Sequence, residues 1–475
     1  SGGAIYYQDG VDPVSYDLNI TNSQIVNNNS SGAGGGLYLV SGNVLIKNTD
    51  IMNNYAGGSG GGIFEDHTDL TNLSIVGSRI TGNVTNSDGG GIGLSNEGYT
   101  IIRRTLIANN QSASWGAGIF TNHEFELSNS IIIGNIGGTG ISFHSDRDTY
   151  VVNSIIRENP NGNVMFDIYS QSEDTDIIFQ YNNIEGRSFE FLYSDNNTAQ
   201  LTDNTMNVDY EPDFIDPENG NYQIFSSCLS INAGHQDSTD NDGTVADIGI
   251  YPYLNDYSGP DWFITEDGND ITADGSIDSP FRSIQSAVNF GSDGDTAYVA
   301  DGTYNETIVY RNFIGKSVNI LGESIENTII DPNQDDAGVR ISWSSLSPIQ
   351  IANLSIQNAG GIVGAGIDIN GLNMSPINIE NLHIKNCSSE TAGGAIKVTS
   401  NNQIVSIENV LIENNDASAG GGIYFSPFGD GSNSSLTISN TILKQNSTSS
   451  RGGGIWINNG SNLSITNSEF VSNSA

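Results

Sequence analysis

The sequence predicts an all-β fold: two tandem right-handed parallel β-helices built from three-strand coils of roughly 27 residues. Two observations predict it. Aliphatic residues recur at Ile25, Ile51, Ile80, Ile107, Ile132, Ile156 and Ile184, 24 to 29 residues apart, and the unit resumes at Ile356, Ile384, Ile412, Leu443 and Phe470. Each copy also joins a glycine-led strand to an asparagine-punctuated one, as in Gly35-Gly36-Leu37 followed by Ile46-Lys47-Asn48.

Short stretches such as Leu436-Thr437-Ile438 and Leu463-Ser464-Ile465 alternate apolar and polar residues, the mark of a half-buried strand. A period in the high twenties holds three such strands and their turns. Helical repeats would need i, i+3, i+4 apolar spacing and good helix formers; Asn, Ser, Thr, Gly and β-branched residues stand there instead. Asn22, Asn48, Asn129, Asn153, Asn353, Asn381, Asn409, Asn440 and Asn467 share one repeat position. Asn tolerates the left-handed backbone of a corner, and its amide can bond its counterpart one coil away, so these nine are expected to form a structural ladder. The Gly-Gly pairs are expected to supply positive φ at another corner. A lone coil cannot bury enough apolar surface to offset the ordering of its backbone, so coils must stack and their ends must be closed.

Those closures divide the chain. The first β-helix is expected over 1–253, with 210–253 as its C-terminal cap, including Ser227-Cys228-Leu229 and Asp242-Gly243-Thr244. A Gly/Pro-containing linker covers 254–262. The second β-helix covers 263–475, truncated inside its repeat, and opens with a capping helix: Ser279 as N-cap, Pro280 at the first position, and Phe281, Ile284 and Val288 on one face.

Composition narrows the function classes. A formal charge of −40, from 15 Lys plus Arg against 55 Asp plus Glu, repels nucleic acid and anionic lipid. No apolar run approaches the roughly 18 residues that span a bilayer. Two distant cysteines, Cys228 and Cys387, exclude a disulfide framework.

The stretch from Pro280 to Ile330 resembles the N-terminal cap of the pectin-lyase-like right-handed β-helix superfamily. Gly393-Gly394-Ala395-Ile396 and Phe470-Val471-Ser472-Asn473 resemble polymorphic outer-membrane-protein repeats, and 227–253 is similar to the closing segment of bacterial secreted β-helix proteins. The resemblance implies a secreted or cell-surface location, associated with the outer membrane. It does not imply one activity, because the superfamily holds lyases, hydrolases, esterases, adhesins and inert scaffolds.

Searching for chemistry yields little. Lys47 and Arg103 share a repeat position two coils apart and Arg104 adjoins, but no Arg-x-Pro-x-x-Arg accompanies them. Asn48-Thr49-Asp50 is one copy of the repeat, without the Gly-His-Gly and Arg-x-Lys that similar polygalacturonases carry. Gly315-Lys316-Ser317 lacks the upstream glycine of a phosphate loop. Asp240 and Asp242, beside Asp237 and Gly243, form an acidic turn that is the candidate for Ca²⁺, with Asp267, Asp270 and Asp274 as a second acidic stretch; no other cofactor is expected. The expectation is a non-catalytic scaffold or adhesin-like segment presenting loops such as 426–432, with polysaccharide or cell-surface glycan as partner. The alternatives are a polysaccharide lyase or glycosidase, and a non-catalytic glycan-binding module.

Overall fold

The computed structural model describes residues 2–8, 17–66, 71–95, 98–144, 147–166, 175–187, 189–191, 201–311, 316–334, 336–342, 347–362, 366–371, 375–427, 433–458 and 461–475. It is a parallel β-solenoid with stacked coils. The chain divides into two compact units: 1–223 with 229–254, and 224–228 with 255–475.

In the first unit, successive coils contribute one strand each to three long sheets of eight, seven and seven strands, and their pairings are parallel. The repeating aliphatics fall in a single register column: Ile25, Ile51, Ile80, Ile107, Ile132, Ile156 and Ile184 are neighbours on adjacent rungs, all buried. A second interior column runs through Leu37, Ile63, Ile92, Ile119, Ile141 and Val164. Strand alternation places these residues inside and their neighbours outside, so one core runs along the unit. The second unit repeats the scheme: Ile330, Ile356, Ile384, Ile412, Leu443 and Phe470 form one column.

The glycine corner works by two means. The first glycine of each triplet takes positive φ (Gly60, 71°), and the next permits close approach: a Cβ on Gly61 would lie 2.3 Å from the Gly90 carbonyl oxygen. Positive φ therefore sits one residue before many of the Gly-Gly pairs.

The second unit has the expected helix, but with a later start. It spans Ile284–Phe290, not a stretch beginning at Ser279. The backbone of Phe281 is already committed to the sheet, its N–H donating to Phe263 (3.0 Å) and its carbonyl accepting from Thr265 (3.0 Å), so residues 279–282 remain outside the helix. The N-cap is Ser283, and the orphan N–H groups of Ile284 and Gln285 donate to the Glu306 carboxylate at 2.8 and 2.9 Å. Asp270 accepts from the N–H groups of Arg282 and Ser283, which places it in this cap. All seven helical residues are buried. Residues read as linker also belong to this cap: Asn255 is buried and donates to the Asp274 carbonyl, and a strand begins at Asp261. Cys228 and Cys387 are both buried and form no disulfide. Among the described residues no helix is long and apolar enough to cross a membrane.

Candidate functional site: outward rows of the solenoid

A concave surface with an aromatic pattern lies on the second unit. Strands Asp261–Ile264, Thr296–Val299 and Asn319–Gly322 are parallel neighbours in register. Alternation sends Trp262, Ile264, Ala297, Val299 and Ile320 into the core and turns Phe263, Tyr298 and Leu321 outward in one row. The Phe263 and Tyr298 rings stack, centroids 5.7 Å apart and 21° between planes. With Thr265, Ala300 and Glu323 they line a shallow groove of about 300 Å³. Farther along the axis the same register position holds Ala352, which is buried, and then Glu380 and Glu408. At the other end of the groove, Glu266 accepts the Thr303 N–H at 2.8 Å and Glu323 accepts the Asp301 N–H at 3.1 Å. Hydrogen bonds from Ser324, Thr328 and Asn327 hold the Asp301 carboxyl below its usual range.

Rings also stack on the outward position that follows the glycine corner. In the first unit Tyr6, Tyr38 and Phe64 are register neighbours, with centroids 5.2 and 5.4 Å apart, and the Tyr38 hydroxyl donates to Asp66. Gly93 interrupts the row before Phe120, which packs on His144 beside the exposed Trp115. In the second unit the row reads Arg340, Asp368, Lys397, Tyr424, Trp456, with the last two rings 4.5 Å apart. Asp368 is buried next to Lys397 (3.9 Å); burial pushes the Asp368 carboxyl up and the Lys397 ammonium down. These rows were missed in the sequence, yet a signal was there: the residue after Gly-Gly-x-Ile or Gly-Gly-Leu is repeatedly aromatic, as in Tyr6, Tyr38, Phe64, Tyr424 and Trp456.

A larger groove, about 590 Å³, lies on the first unit and gathers several residues singled out by sequence: Arg103, Arg104, Asn129 and Asn153, together with Glu126, Tyr150 and Ser238. Lys47, Val76 and Arg103 occupy consecutive rungs of one row, as the spacing predicts. Arg103 pairs with Glu126 at 3.0 Å, and Tyr99 donates to the same carboxylate.

All nine repeat asparagines have left-handed backbone, φ between 45° and 58°. Amide bonds link Asn48 to Asn22 (3.3 Å), Asn381 to Asn353 (3.0 Å) and Asn409 to Asn381 (3.1 Å). Asn440 and Asn467 sit exposed at the same corner. Asn129 and Asn153 serve the closing segment: Asn129 donates to the Asp247 carbonyl (3.4 Å), and Asn153 accepts the His235 N–H (2.7 Å). The closing segment therefore lies along this corner of the first unit. The continuous amide column stands at the next corner, through the half-buried Asn28 and the buried Asn54, Asn83, Asn110, Asn135 and Asn159, with amide contacts of 2.9 to 3.0 Å.

The acidic turn uses its oxygens locally. Asp240 accepts the Asp247 N–H (2.8 Å), and Asp242 accepts the N–H and hydroxyl of Thr244 (3.0 and 2.8 Å). Burial pushes the Asp240 carboxyl up, and Asp247 behind it up to about 8. Among the described residues no group of three or more His, Cys, Asp or Glu side chains is placed to hold a metal ion. Residues 428–432 of the expected binding loop lie outside the described residues. In comparisons with known proteins, the chain matches no family model and no curated protein.

Proposed function

We propose that this chain is a non-catalytic, extracellular or cell-surface β-solenoid scaffold that binds glycan along its outward rows. The observation that carries this reading is the stacking of outward rings in register on three separate rows, Tyr6–Tyr38 (with Phe64 tilted against Tyr38), Phe263–Tyr298 and Tyr424–Trp456. Flat apolar faces set among amides, hydroxyls and carboxylates suit a pyranose, which offers one apolar face and a rim of hydroxyls. The resemblance to the pectin-lyase-like superfamily and to surface-exposed repeats supports the location.

Native electrophoresis through gels containing soluble polysaccharides tests it. The wild type is expected to be retarded by at least one polymer, and Tyr38→Ser, Tyr298→Ser and Trp456→Ser together are expected to abolish the retardation. Free migration of the wild type in every gel rejects the proposal. Accumulation of unsaturated uronate product, followed by its absorbance with and without Ca²⁺, would replace it with the lyase reading.

A further inference from the structure

We infer that the strip of the second unit running from Phe263 and Tyr298 to Glu380 and Glu408 binds an amine-bearing polysaccharide, a chain of β-1,4-linked amino sugars lying along the solenoid axis. This rests on the glycan reading above and names the class of sugar. Three features carry it.

The first is the row itself. Phe263, Tyr298 and Leu321 stand outward on three consecutive rungs; the buried Ala352 takes the fourth, and Glu380 and Glu408 follow on the next two. Rungs of a parallel sheet repeat at about 4.8 Å, so a linear polymer along this row meets a ring platform first and carboxylates next. Tyr298 is 39 % exposed, and Glu408 is exposed, so both are open to a ligand. An ammonium group is attracted both to ring faces and to carboxylates, whereas a uronate is repelled by the latter.

The second is the flanking row. One alternation away, Thr296, Asn319, Gln350, Asn378, Ser406 and Thr437 occupy successive rungs of the same face. Every one carries an amide or a hydroxyl, the groups that exchange hydrogen bonds with sugar hydroxyls. This row distinguishes a saccharide from a basic peptide, whose side chains would need only the carboxylates.

The third is charge. The cations of this region, Lys385 and Lys444, lie beyond the asparagine corner, where Lys444 pairs with Glu413 at 2.8 Å, and leave the strip acidic. A chain with a net charge of −40 draws a polycation toward it and repels a polyanion.

Titration calorimetry on the whole chain tests the inference with four hexamers: β-1,4-linked glucosamine, its N-acetylated form, cellohexaose and hexalysine. The three sugars share a backbone and differ at one substituent. The glucosamine hexamer is expected to bind about tenfold more tightly than the other two sugars at low salt, and to lose most of that advantage at about 0.5 M salt. Glu380→Gln with Glu408→Gln is expected to remove the advantage, weakening the glucosamine hexamer about tenfold and cellohexaose by far less; Tyr298→Ser is expected to weaken all three sugars. Equal, salt-independent binding of the three sugars overturns the inference and leaves the glycan reading standing. Hexalysine binding as tightly as the glucosamine hexamer overturns it in favour of a basic peptide. Preference for glucosamine that survives all the variants overturns the assignment to this strip. Failure of every sugar here and in the gels overturns both readings.

Discussion

Two neighbouring columns inside the first unit handle buried polarity in opposite ways. One is the asparagine column from Asn28 to Asn159, where each side-chain amide donates to the next rung and its oxygen accepts from the rung before. The other is the aliphatic column Leu39, Glu65, Leu94, into which a single carboxylate intrudes. Glu65 is fully buried, and His123 meets it at 2.7 Å, its other ring nitrogen 3.1 Å from Thr100. Gly98 leaves the space for that imidazole, since a Cβ there would lie 2.7 Å from its ring. The contrast teaches a rule about solenoids. A polar group repeated on every rung is satisfied by its own copies, whereas a polar group that occurs once needs a dedicated partner, here from a coil two rungs away.

The second unit stands between these cases. Its equivalent column reads Ala359, Cys387, Asn415, Asn446, Asn473, so the amide ladder begins only at the third of these rungs. Cys387 keeps the backbone bond, its N–H donating to Asn415 at 2.9 Å, and burial pushes its thiol up to about 12.

Breaking the lone pair should cost most. Glu65→Leu leaves His123 buried without that carboxylate and is expected to destabilise by about 3–5 kcal/mol, read by urea denaturation. Adding His123→Phe should recover most of that loss or more, because an apolar pair of similar size leaves no unpaired polar group in the core there. A double variant no more stable than the single one would show that the pair does not act as a unit.

Interrupting the repeated column comes next. Asn83→Ala strands the Asn54 backbone N–H and one Asn54 side-chain N–H, removes the side-chain donor to the Ile51 carbonyl, and leaves the Asn110 amide oxygen with the residue-83 backbone N–H but without the side-chain one. About 3 kcal/mol of destabilisation is expected, smaller than the sum of four bonds because water can enter the gap. A loss below about 1 kcal/mol would mean that the rungs do not depend on the ladder.

A third test is electrostatic. Burial pushes Glu306, the carboxylate that caps the helix, up to about 7 from its ordinary 4.5. The folded state then holds a proton that the unfolded state releases between those values. This contribution to stability is complete below pH 4.5 and is lost as pH rises through 7. Glu306→Gln should flatten the pH dependence across that window by up to about 3 kcal/mol, measured as the difference between the two proteins' stabilities. Parallel pH profiles for the two would count against the assignment. The smallest effect sharpens the comparison in reverse. Cys387→Asn extends the second unit's ladder by one rung and should stabilise it by about 1 kcal/mol in the same denaturation assay.

The sequence carried the columns and lost the rows. Ile25, Ile51, Ile80 and their successors could be aligned because a core position tolerates little but aliphatics, and the corner asparagines because few residues adopt left-handed backbone. Whether Asn48 or Asn54 would be buried could not be read, since both are asparagines near a corner and differ only in which way the coil turns. The Phe263–Tyr298–Leu321 row was hidden for another reason. Its strands precede the regular repeat, and only the solved register brings residues so far apart in the chain onto neighbouring rungs. Helix placement failed at Phe281, where local N-cap chemistry competed with a sheet partner 18 residues upstream and lost.

The in-register parallel stacking has a consequence for how such a chain can change over generations. Most ladder bonds run from one coil to the next, and the glycine corner, the asparagine column and the aliphatic columns recur on successive rungs. A regular coil away from the Glu65–His123 pair and the closing segment can therefore be duplicated or deleted while the neighbouring coils keep the same kinds of contact, lengthening or shortening each outward row by one step of about 4.8 Å. Reach becomes a trait adjusted in equal increments, independently of what any one rung displays.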